Sequence, residues 1–209
     1  MHSVAIIDYG MGNLRSVAKA VEYIAPNTKV WITNQPEYIL AANRVIFPGV
    51  GAIRDCVNAL TNQGLISVIR TCTQDRPFLG ICLGMQALLD FSEENSGITG
   101  LGILPGRVLR FHRETPRLKI PHMGWNQVQP IGIHPLWHGI DKTSRFYFVH
   151  SYYVIPDDPK IIQATTNYGV NFACALGKKN IFAVQFHPEK SQRLGLTLLA
   201  NFMNWDGSL

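Results

Sequence analysis

The chain has 209 residues, of which 46% are hydrophobic and 16% charged, and its formal net charge is +5. This composition is typical of a globular protein with a large core and excludes a disordered chain. No apolar run approaches the roughly 20 residues of a membrane-spanning helix. Most basic residues are dispersed, apart from a denser stretch at 107–119, which is a solvated strand pair or a face for an acidic protein partner. We therefore expect no nucleic acid partner and no membrane partner.

The amino terminus lacks a basic segment followed by a long apolar stretch, so no secretory signal is expected. The four cysteines are Cys56, Cys72, Cys82 and Cys174, and they form neither a CxxC pair nor metal-ligand spacing with histidine. Free thiols in a reducing, cytoplasmic compartment are the simplest interpretation. We expect no metal and no other cofactor.

In the first half, short apolar runs alternate with helical patterns. Strands are predicted at 4–10, 29–33, 44–52 and 77–81, and helices at 13–24, 36–42, 53–72 (one or two helices) and 84–92. Apolar runs of four or five residues between helices are typical of parallel strands covered on both faces.

The second half is richer in strands separated by turns. Strands are predicted at 106–111, 125–130, 144–155, 161–166, 172–177 and 181–186, before a closing amphipathic helix at 191–205. No repeat or linker divides the chain. The prediction is one α/β domain over 1–209, with a mostly parallel central sheet, helices on both faces and added antiparallel strands.

The stretch GICLG at 80–84 matches the nucleophile elbow, with cysteine in place of serine. Such a nucleophile sits in a strained conformation between a strand and a helix, and glycine on either side removes colliding Cβ atoms. The first N–H groups of the helix favour a thiolate and supply an oxyanion donor, here from Leu83. Taken alone, Cys82 is equally a buried cysteine at a strand end.

The segment FAVQFHPEKS at 182–191 supplies a base and a carboxylate. In an extended segment, His187 and Glu189 project to the same side, with Pro188 restricting the backbone between them. A carboxylate beside an imidazole fixes its tautomer and stabilises its charged form. Cys82, His187 and Glu189 would then act as nucleophile, base and orienting group, although HPE alone is also compatible with an ordinary turn.

The stretch FPGVGA at 47–52 ends the third predicted strand on the sheet edge where the elbow lies. A peptide flanked by Gly49 and Gly51 turns its N–H toward or away from that edge at little cost. Val50 and its two neighbouring glycines are therefore candidates for a second oxyanion donor, although the stretch alone is only a turn.

A nucleotide site is not expected. GMGN at 10–13 follows a strand, but no acidic residue stands near position 30, where a ribose-binding carboxylate would be needed. The phosphate-loop pattern G-x-x-x-x-G-K-[ST] is also absent from the sequence.

Together, GICLGMQ (80–86), PGVG (48–51) and HPEKS (187–191) resemble the signatures of the class I, triad-type glutamine amidotransferases. DYGMGNLRSV (8–17), PHMGWN (121–126) and YFVHSYYV (147–154) narrow the resemblance to the glutaminase subunits of imidazole glycerol phosphate synthases. The resemblance implies hydrolysis of L-glutamine to glutamate and ammonia. The ammonia would pass to a (βα)8-barrel synthase subunit in a heterodimer, which makes imidazole glycerol phosphate and AICAR in histidine biosynthesis.

The resemblance also implies roles for further residues. Gln86, Ser151 and Tyr152 would hold glutamine, although ordinary strand polarity also accounts for the last two. Candidates for the partner interface are Asn13, Met123, Trp125, Tyr147 and Lys190, of which Met123 and Trp125 are also compatible with core positions. Two other functions stay open: the glutaminase of another synthase, for pyridoxal phosphate or anthranilate, and a catalytically dead regulatory module.

Overall fold

The computed structural model describes residues 2–112 and 118–208. Over these ranges the strands are, in chain order, β1 (Ser3–Ile7), β2 (Lys29–Thr33), β3 (Arg44–Gly49), β4 (Phe78–Cys82), β5 (Phe91–Ser92), β6 (Ile98–Thr99), β7 (Gly106–Arg110), β8 (His122–Gln127), β9 (Gln129–Pro130), β10 (Arg145–His150), β11 (Tyr152–Pro156), β12 (Ile162–Tyr168), β13 (Val170–Lys178) and β14 (Ile181–Val184). The α-helices are α1 (Leu14–Ile24), α2 (Pro36–Ala41), α3 (Ile53–Asn62), α4 (Leu65–Asp75), α5 (Leu83–Ala87) and α6 (Gln192–Asn204). Short 3-10 helices cover Glu94–Ser96, Pro135–Trp137, Pro159–Ile161 and Pro188–Lys190. Positions 113–117 of the basic stretch lie outside the described residues.

The large sheet begins with five parallel strands in the order β2-β1-β3-β4-β14. Beyond β14 the order continues β13-β11-β7, and these pairings are antiparallel. Strands β8 and β10 pair with each other in a separate two-stranded antiparallel sheet. This arrangement confirms the predicted α/β class, with a mostly parallel central sheet and antiparallel additions.

Alternate side chains of the central strands enter two different hydrophobic clusters. In β1, Ala5 and Ile7 pack with residues from α2 to α5, whereas Val4 and Ile6 pack with residues from α1 and α6. Successive residues of a strand point to opposite faces, so a strand buried on both faces is apolar throughout. Helices therefore cover the sheet on both faces, as the uninterrupted apolar runs predict.

The carboxyl ends of β3, β4 and β14 meet at one sheet edge. Gly49 pairs in register with Cys82, and Val184 pairs with Ile81. The loop after β3, the start of α5 and the segment leading to His187 therefore emerge side by side. In open α/β sheets, this edge is where ligands bind.

The predicted helix over 84–92 is wrong beyond Ala87. After α5 the chain turns, and the backbone N–H groups of Leu101 and Ile103 donate to the carbonyls of Ala87 and Leu88, at 2.8 and 2.9 Å. A Cβ at Gly100 would collide with the carbonyl oxygen of Leu89. A distant segment thus terminates the helix, a tertiary effect that local helix propensity does not contain.

The strand predicted over 144–155 is two strands separated at Ser151. Strand β10 belongs to the two-stranded sheet and β11 to the large sheet. The strand predicted at 125–130 is likewise two strands, β8, which starts at His122, and β9. A continuous run of strand-forming residues does not reveal where a chain changes sheets.

None of the helices within 2–112 and 118–208 combines the length and apolarity needed to cross a membrane. In the same ranges, no three His, Cys, Asp or Glu side chains gather as metal ligands.

Candidate active site

The elbow forms where β4 ends at Cys82 and α5 begins at Leu83. Cys82 has φ 55° and ψ −109°, a conformation that L residues rarely adopt. A Cβ at Gly84 would collide with the carbonyl oxygen of Phe47, and a Cβ at Gly80 would lie 3.2 Å from Ala183 Cβ. Close approach therefore requires glycine at position 84, whereas at position 80 a Cβ would be tight and its neighbours would have to shift slightly. Crowding at both positions is the steric reason that the sequence pattern predicts.

His187 and Glu189 meet as the sequence predicts, but by a different backbone path. His187 Nδ1 lies 2.9 Å from Glu189 Oε1, and both side chains are 1% exposed. His187 is extended, with φ −102° and ψ 97°, whereas Pro188–Lys190 is a 3-10 turn. The expectation of a fully extended segment is wrong here, because the turn that starts at Pro188 brings the carboxylate back to the ring.

The backbone of His187 is fixed by strand β10. Its N–H donates to the carbonyl of Tyr147 at 2.9 Å, and the hydroxyl of Ser191 donates to its carbonyl at 2.6 Å. Ser191 Oγ also accepts from the N–H of Tyr147 at 3.0 Å. These bonds hold the imidazole against the two-stranded sheet.

The pKa of His187 depends on Cys82 and Glu189. Burial lowers its pKa, but the charge and hydrogen-bonding capacity of Cys82, together with Glu189, outweigh burial and raise the pKa to about 10. Its Nε2 has no partner at ordinary hydrogen-bond geometry among the described residues. These neighbours therefore favour the charged form of the ring, whose Nδ1 is held by the Glu189 carboxylate.

A cavity of about 280 Å³ opens over Cys82. It is lined by Val50, Gly51, Cys82, Leu83, Gln86, Glu94, Pro121, Val149, His150, Ser151, Tyr152 and His187. The predicted substrate-binding residues and most of the predicted oxyanion residues thus gather here, although their roles remain predictions. Gly49 does not line the cavity: it lies in β3 beside Cys82, where a Cβ would collide with the Tyr9 hydroxyl.

The loop after β3 has the conformation that its glycines permit. Gly51 has φ +92°, which L side chains rarely adopt, and Val50 is 37% exposed. Across the cavity, Leu83 begins α5, so its backbone N–H has no acceptor within the helix. The cavity is therefore flanked by two backbone segments able to supply N–H donors to an oxyanion.

Gln86 joins two sides of the site. Its Nε2 donates to the carbonyl of Tyr152 at 3.0 Å and to Gln185 Oε1 at 3.0 Å. Gln185 Nε2 in turn donates to Cys82 Sγ at 3.6 Å. Gln86 therefore connects the segment at Ser151, where the chain changes sheets, to Cys82 through Gln185.

A second hydrogen-bonded chain reaches the Tyr152 carbonyl from β8. His150 Nδ1 lies 2.7 Å from that oxygen and must carry the proton, which leaves Nε2 as an acceptor. His122 Nδ1 then donates to His150 Nε2 at 2.9 Å, and Asn126 Nδ2 donates to His122 Nε2 at 3.2 Å. Burial lowers the pKa of His122 to about 4 and that of His150 to about 3, so both rings are neutral.

Sequence reasoning missed Gln185, Glu94 and His150. Gln185 carries a detectable signal, because a glutamine within the apolar run IFAVQF needs a buried partner. Glu94 follows a helix that is predicted to run to position 92 but ends at Ala87, so the sequence does not indicate its place beside α3. Its carboxylate accepts from the N–H of Ile53 at 2.9 Å. His150 has no local motif of its own.

The predicted interface residues lie around the buried His187–Glu189 pair. Trp125 pairs with Tyr147 across β8 and β10, and Lys190 Nζ lies 5.9 Å from the Tyr147 ring centroid. Asn13 Nδ2 donates to Glu189 Oε1 at 3.4 Å. Met123 is 62% exposed and Trp125 40%, which excludes the alternative that they are core residues.

A family model described as "Glutamine amidotransferase class-I" matches residues 5–205. The chain belongs to the class I glutamine amidotransferases. Solved structures confirm the amidotransferase fold at low sequence identity. A Thermoplasma acidophilum protein described as a GMP synthase component has a TM-score of 0.71 at 19% identity, covering 98% of this chain and 93% of that one. PurLQS from Thermotoga maritima has a TM-score of 0.72 at 16% identity, covering 97% and 98%.

Two relatives similar to this chain are named imidazole glycerol phosphate synthase subunit HisH. The protein from Nitrosococcus oceani is 58% identical over 207 residues, which are 99% of each chain. That from Methylococcus capsulatus is 55% identical over 212 residues, covering 99% of this chain and 98% of the relative. The narrower resemblance to the glutaminase subunits of this synthase is thereby confirmed.

Proposed function

We propose that this amidotransferase hydrolyses L-glutamine to glutamate and ammonia through a thioester on Cys82. The observation that carries the proposal is the strained elbow, which presents Cys82 to a cavity also lined by His187, whose ring is held by Glu189. A nucleophile, an adjacent base and a group that orients the base are the requirements of covalent acyl transfer.

In the first half-reaction, the Cys82 thiolate attacks the side-chain carboxamide carbon. The N–H of Leu83 and one from the Gly49–Gly51 segment stabilise the oxyanion that forms. His187 gives its Nε2 proton to the departing nitrogen, so that the C–N bond breaks and neutral ammonia leaves. A thioester and a neutral imidazole remain.

In the second half-reaction, neutral His187 takes a proton from water as the water oxygen attacks the thioester carbon. The C–S bond breaks, glutamate is released, and the thiolate and imidazolium are restored. Glu189 stabilises the imidazolium each time it forms.

Three predicted residues and one further residue would hold glutamine. Gln86 has both amide hydrogens engaged by Tyr152 and Gln185, which leaves its oxygen for the substrate. Ser151 and Tyr152 form the opposite wall. The Glu94 carboxylate, which also lines the cavity, suits the α-ammonium group of an amino acid.

The relatives' name supports a place in imidazole glycerol phosphate synthesis, within histidine biosynthesis. We infer that ammonia passes to a synthase subunit with a (βα)8-barrel fold, which makes imidazole glycerol phosphate and AICAR. The full chain, 1–209, would act as one amidotransferase domain. Its docking surface would be formed by Asn13, Met123, Trp125, Tyr147 and Lys190.

Cys82→Ala tests the proposal in the assembled synthase. We expect loss of glutamine-dependent synthesis by at least about a thousandfold, with ammonia-dependent synthesis retained, because only the glutaminase step needs the sulfur. Cys72→Ala, which removes a buried thiol from α4, serves as the matched control and should retain both activities. Loss of both activities in Cys82→Ala would contradict the assignment, as would glutamine-dependent activity close to that of the wild type.

A further inference from the structure

Gln185 is a buried amide that directly contacts the nucleophile. It follows β14, two residues before His187, and its exposed fraction is 0%. Its Nε2 lies 3.6 Å from Cys82 Sγ, within the range of an N–H···S hydrogen bond. Desolvation makes such a buried donor costly unless it has an acceptor, and the sulfur is its acceptor here.

The orientation of the Gln185 amide follows from its neighbours. Gln86 Nε2 must be an NH₂ group, because one of its contacts is the carbonyl oxygen of Tyr152. Its second hydrogen then requires an acceptor, which is Gln185 Oε1. A flipped Gln185 would set two NH₂ groups against each other and turn an oxygen toward the sulfur. The network thus allows only the orientation that aims N–H at Cys82.

The Tyr152 carbonyl that fixes Gln86 is itself held from the other side. His150 Nδ1 donates to it at 2.7 Å, and that ring is neutral and tied to His122. The side-chain amides of Gln86 and Gln185 are therefore anchored by buried hydrogen bonds in which each donor and acceptor is determined. An anchored donor is preorganised and needs no rearrangement when charge appears on its acceptor.

We propose that Gln185 is a catalytic residue that binds the Cys82 sulfur and stabilises its negative charge. This inference rests on the proposed glutaminase function. In the proposed reaction the sulfur carries negative charge as it attacks glutamine and again when the thioester C–S bond breaks. Gln185 donates a hydrogen bond at both moments and transfers no proton, whereas His187 handles the protons.

Gln185→Met tests the inference, since methionine has a similar length and no N–H donor. The matched control is Asn180→Leu, which removes another buried amide, at the opposite end of β14, where Asn180 donates to the Arg76 carbonyl. The rate at which iodoacetamide alkylates Cys82 is measured against pH in the full-length chain, with modified cysteines located by peptide mapping. Glutamine turnover is measured in the assembled synthase.

We expect Gln185→Met to alkylate and to turn over glutamine about ten- to a hundredfold more slowly at pH 7, the range of a lost charge-assisted hydrogen bond. Its alkylation profile should move to higher pH, which a purely structural role would not cause. Asn180→Leu should keep the wild-type profile. A Gln185→Met profile that superimposes on that of the wild type would overturn the inference.

If Gln185→Met does not fold, an NMR titration of the wild-type protein tests the contact between Gln185 and Cys82 instead. The Gln185 side-chain NH₂ resonances should titrate together with alkylation of Cys82, and this titration should vanish in Cys82→Ala. Gln185 NH₂ chemical shifts that change neither with pH nor in Cys82→Ala would refute the contact. A wild-type synthase that turns over no glutamine would instead sink the proposed function, so the two failures are distinguishable.

Discussion

At the scale of single residues, Gly84 determines whether the elbow can form. Replacing it with alanine sets a Cβ against the carbonyl oxygen of Phe47, in rigid strand β3. We expect Gly84→Ala to lower the free energy of unfolding by about 3 kcal/mol, at the upper end of overpacking costs. Denaturant titration measures this change.

Gly64→Ala is the matched control for Gly84→Ala. No heavy atom lies within 4 Å of a Cβ at Gly64, and its φ of +66° is the only obstacle to alanine. We expect a cost of about 1 kcal/mol there, typical of a left-handed alanine. Equal losses in the two variants would show that the close approach of α5 to β3 is unimportant.

Functional residues can be predicted from the sequence where they lie close together in a short motif. Cys82 with its glycines and His187 with Glu189 form short motifs whose spacing has a steric meaning. Gln185 and Glu94 are different, because each acquires its partner from a segment distant in sequence. A polar residue in an apolar run indicates that its side chain has a buried hydrogen-bond partner, but the sequence does not identify that partner. The contact between Gln185 and the sulfur therefore emerges only in three dimensions.

At the scale of elements, strands β1, β3 and β4 are predictable because burial on both faces makes each a largely apolar run. Strand β2 lies at the sheet edge and is partly exposed, and it is predictable from the β-branched and aromatic residues of KVWIT. The predicted ends of these strands differ from the structure by a few residues. Prediction fails where long-range contacts decide, as at the end of α5 and at Ser151. The failure at Ser151 is functional, because the change of sheet there supplies one wall of the cavity.

His134, at the start of the 3-10 helix Pro135–Trp137, gives a pH prediction. Burial lowers its pKa to about 4, and its Nδ1 accepts from the N–H of Leu136. The unfolded chain takes up this proton near pH 6.5, so between pH 6.5 and 4 the unfolded state binds more protons and acid favours unfolding. The stabilising contribution is present above pH 6.5 and is lost as pH falls through 4.

We expect His134→Asn, which keeps a capping acceptor without titrating, to lose about 2 kcal/mol less stability than the wild type between pH 7 and 4.5. Urea titrations at both pH values measure the difference. The exposed His138→Asn is the control and should follow the wild type. The interpretation fails if His134→Asn shows the same acid loss as the wild type.

At the scale of the whole molecule, the two sheets meet over Cys82. The two-stranded sheet carries Trp125 outward and holds His187 through Tyr147, so the proposed docking surface and the base share one element. Trp125 is 40% exposed and packs edge-on against the Tyr147 ring, an arrangement typical of an interface anchor.

Trp125→Ala should weaken binding to the synthase subunit by about 2 kcal/mol, or roughly thirtyfold in Kd. Isothermal titration calorimetry with the purified synthase subunit measures this loss. Tyr23→Ala, at the end of α1 remote from Asn13, removes a 76% exposed aromatic and should bind normally. Unchanged affinity in Trp125→Ala would place the docking surface elsewhere.

The hydrogen bonds of His150 determine the order in which the two products are released. Two histidines line the cavity, and His150 has both nitrogens committed to fixed neighbours. In the proposed mechanism a single imidazole, that of His187, therefore serves both half-reactions: it first gives a proton to the leaving nitrogen and then accepts one from water. His187 can accept a proton from the attacking water only after it has given its own proton to the departing ammonia. The ammonia thus leaves before hydrolysis of the thioester can begin, and the two products emerge in a strict sequence.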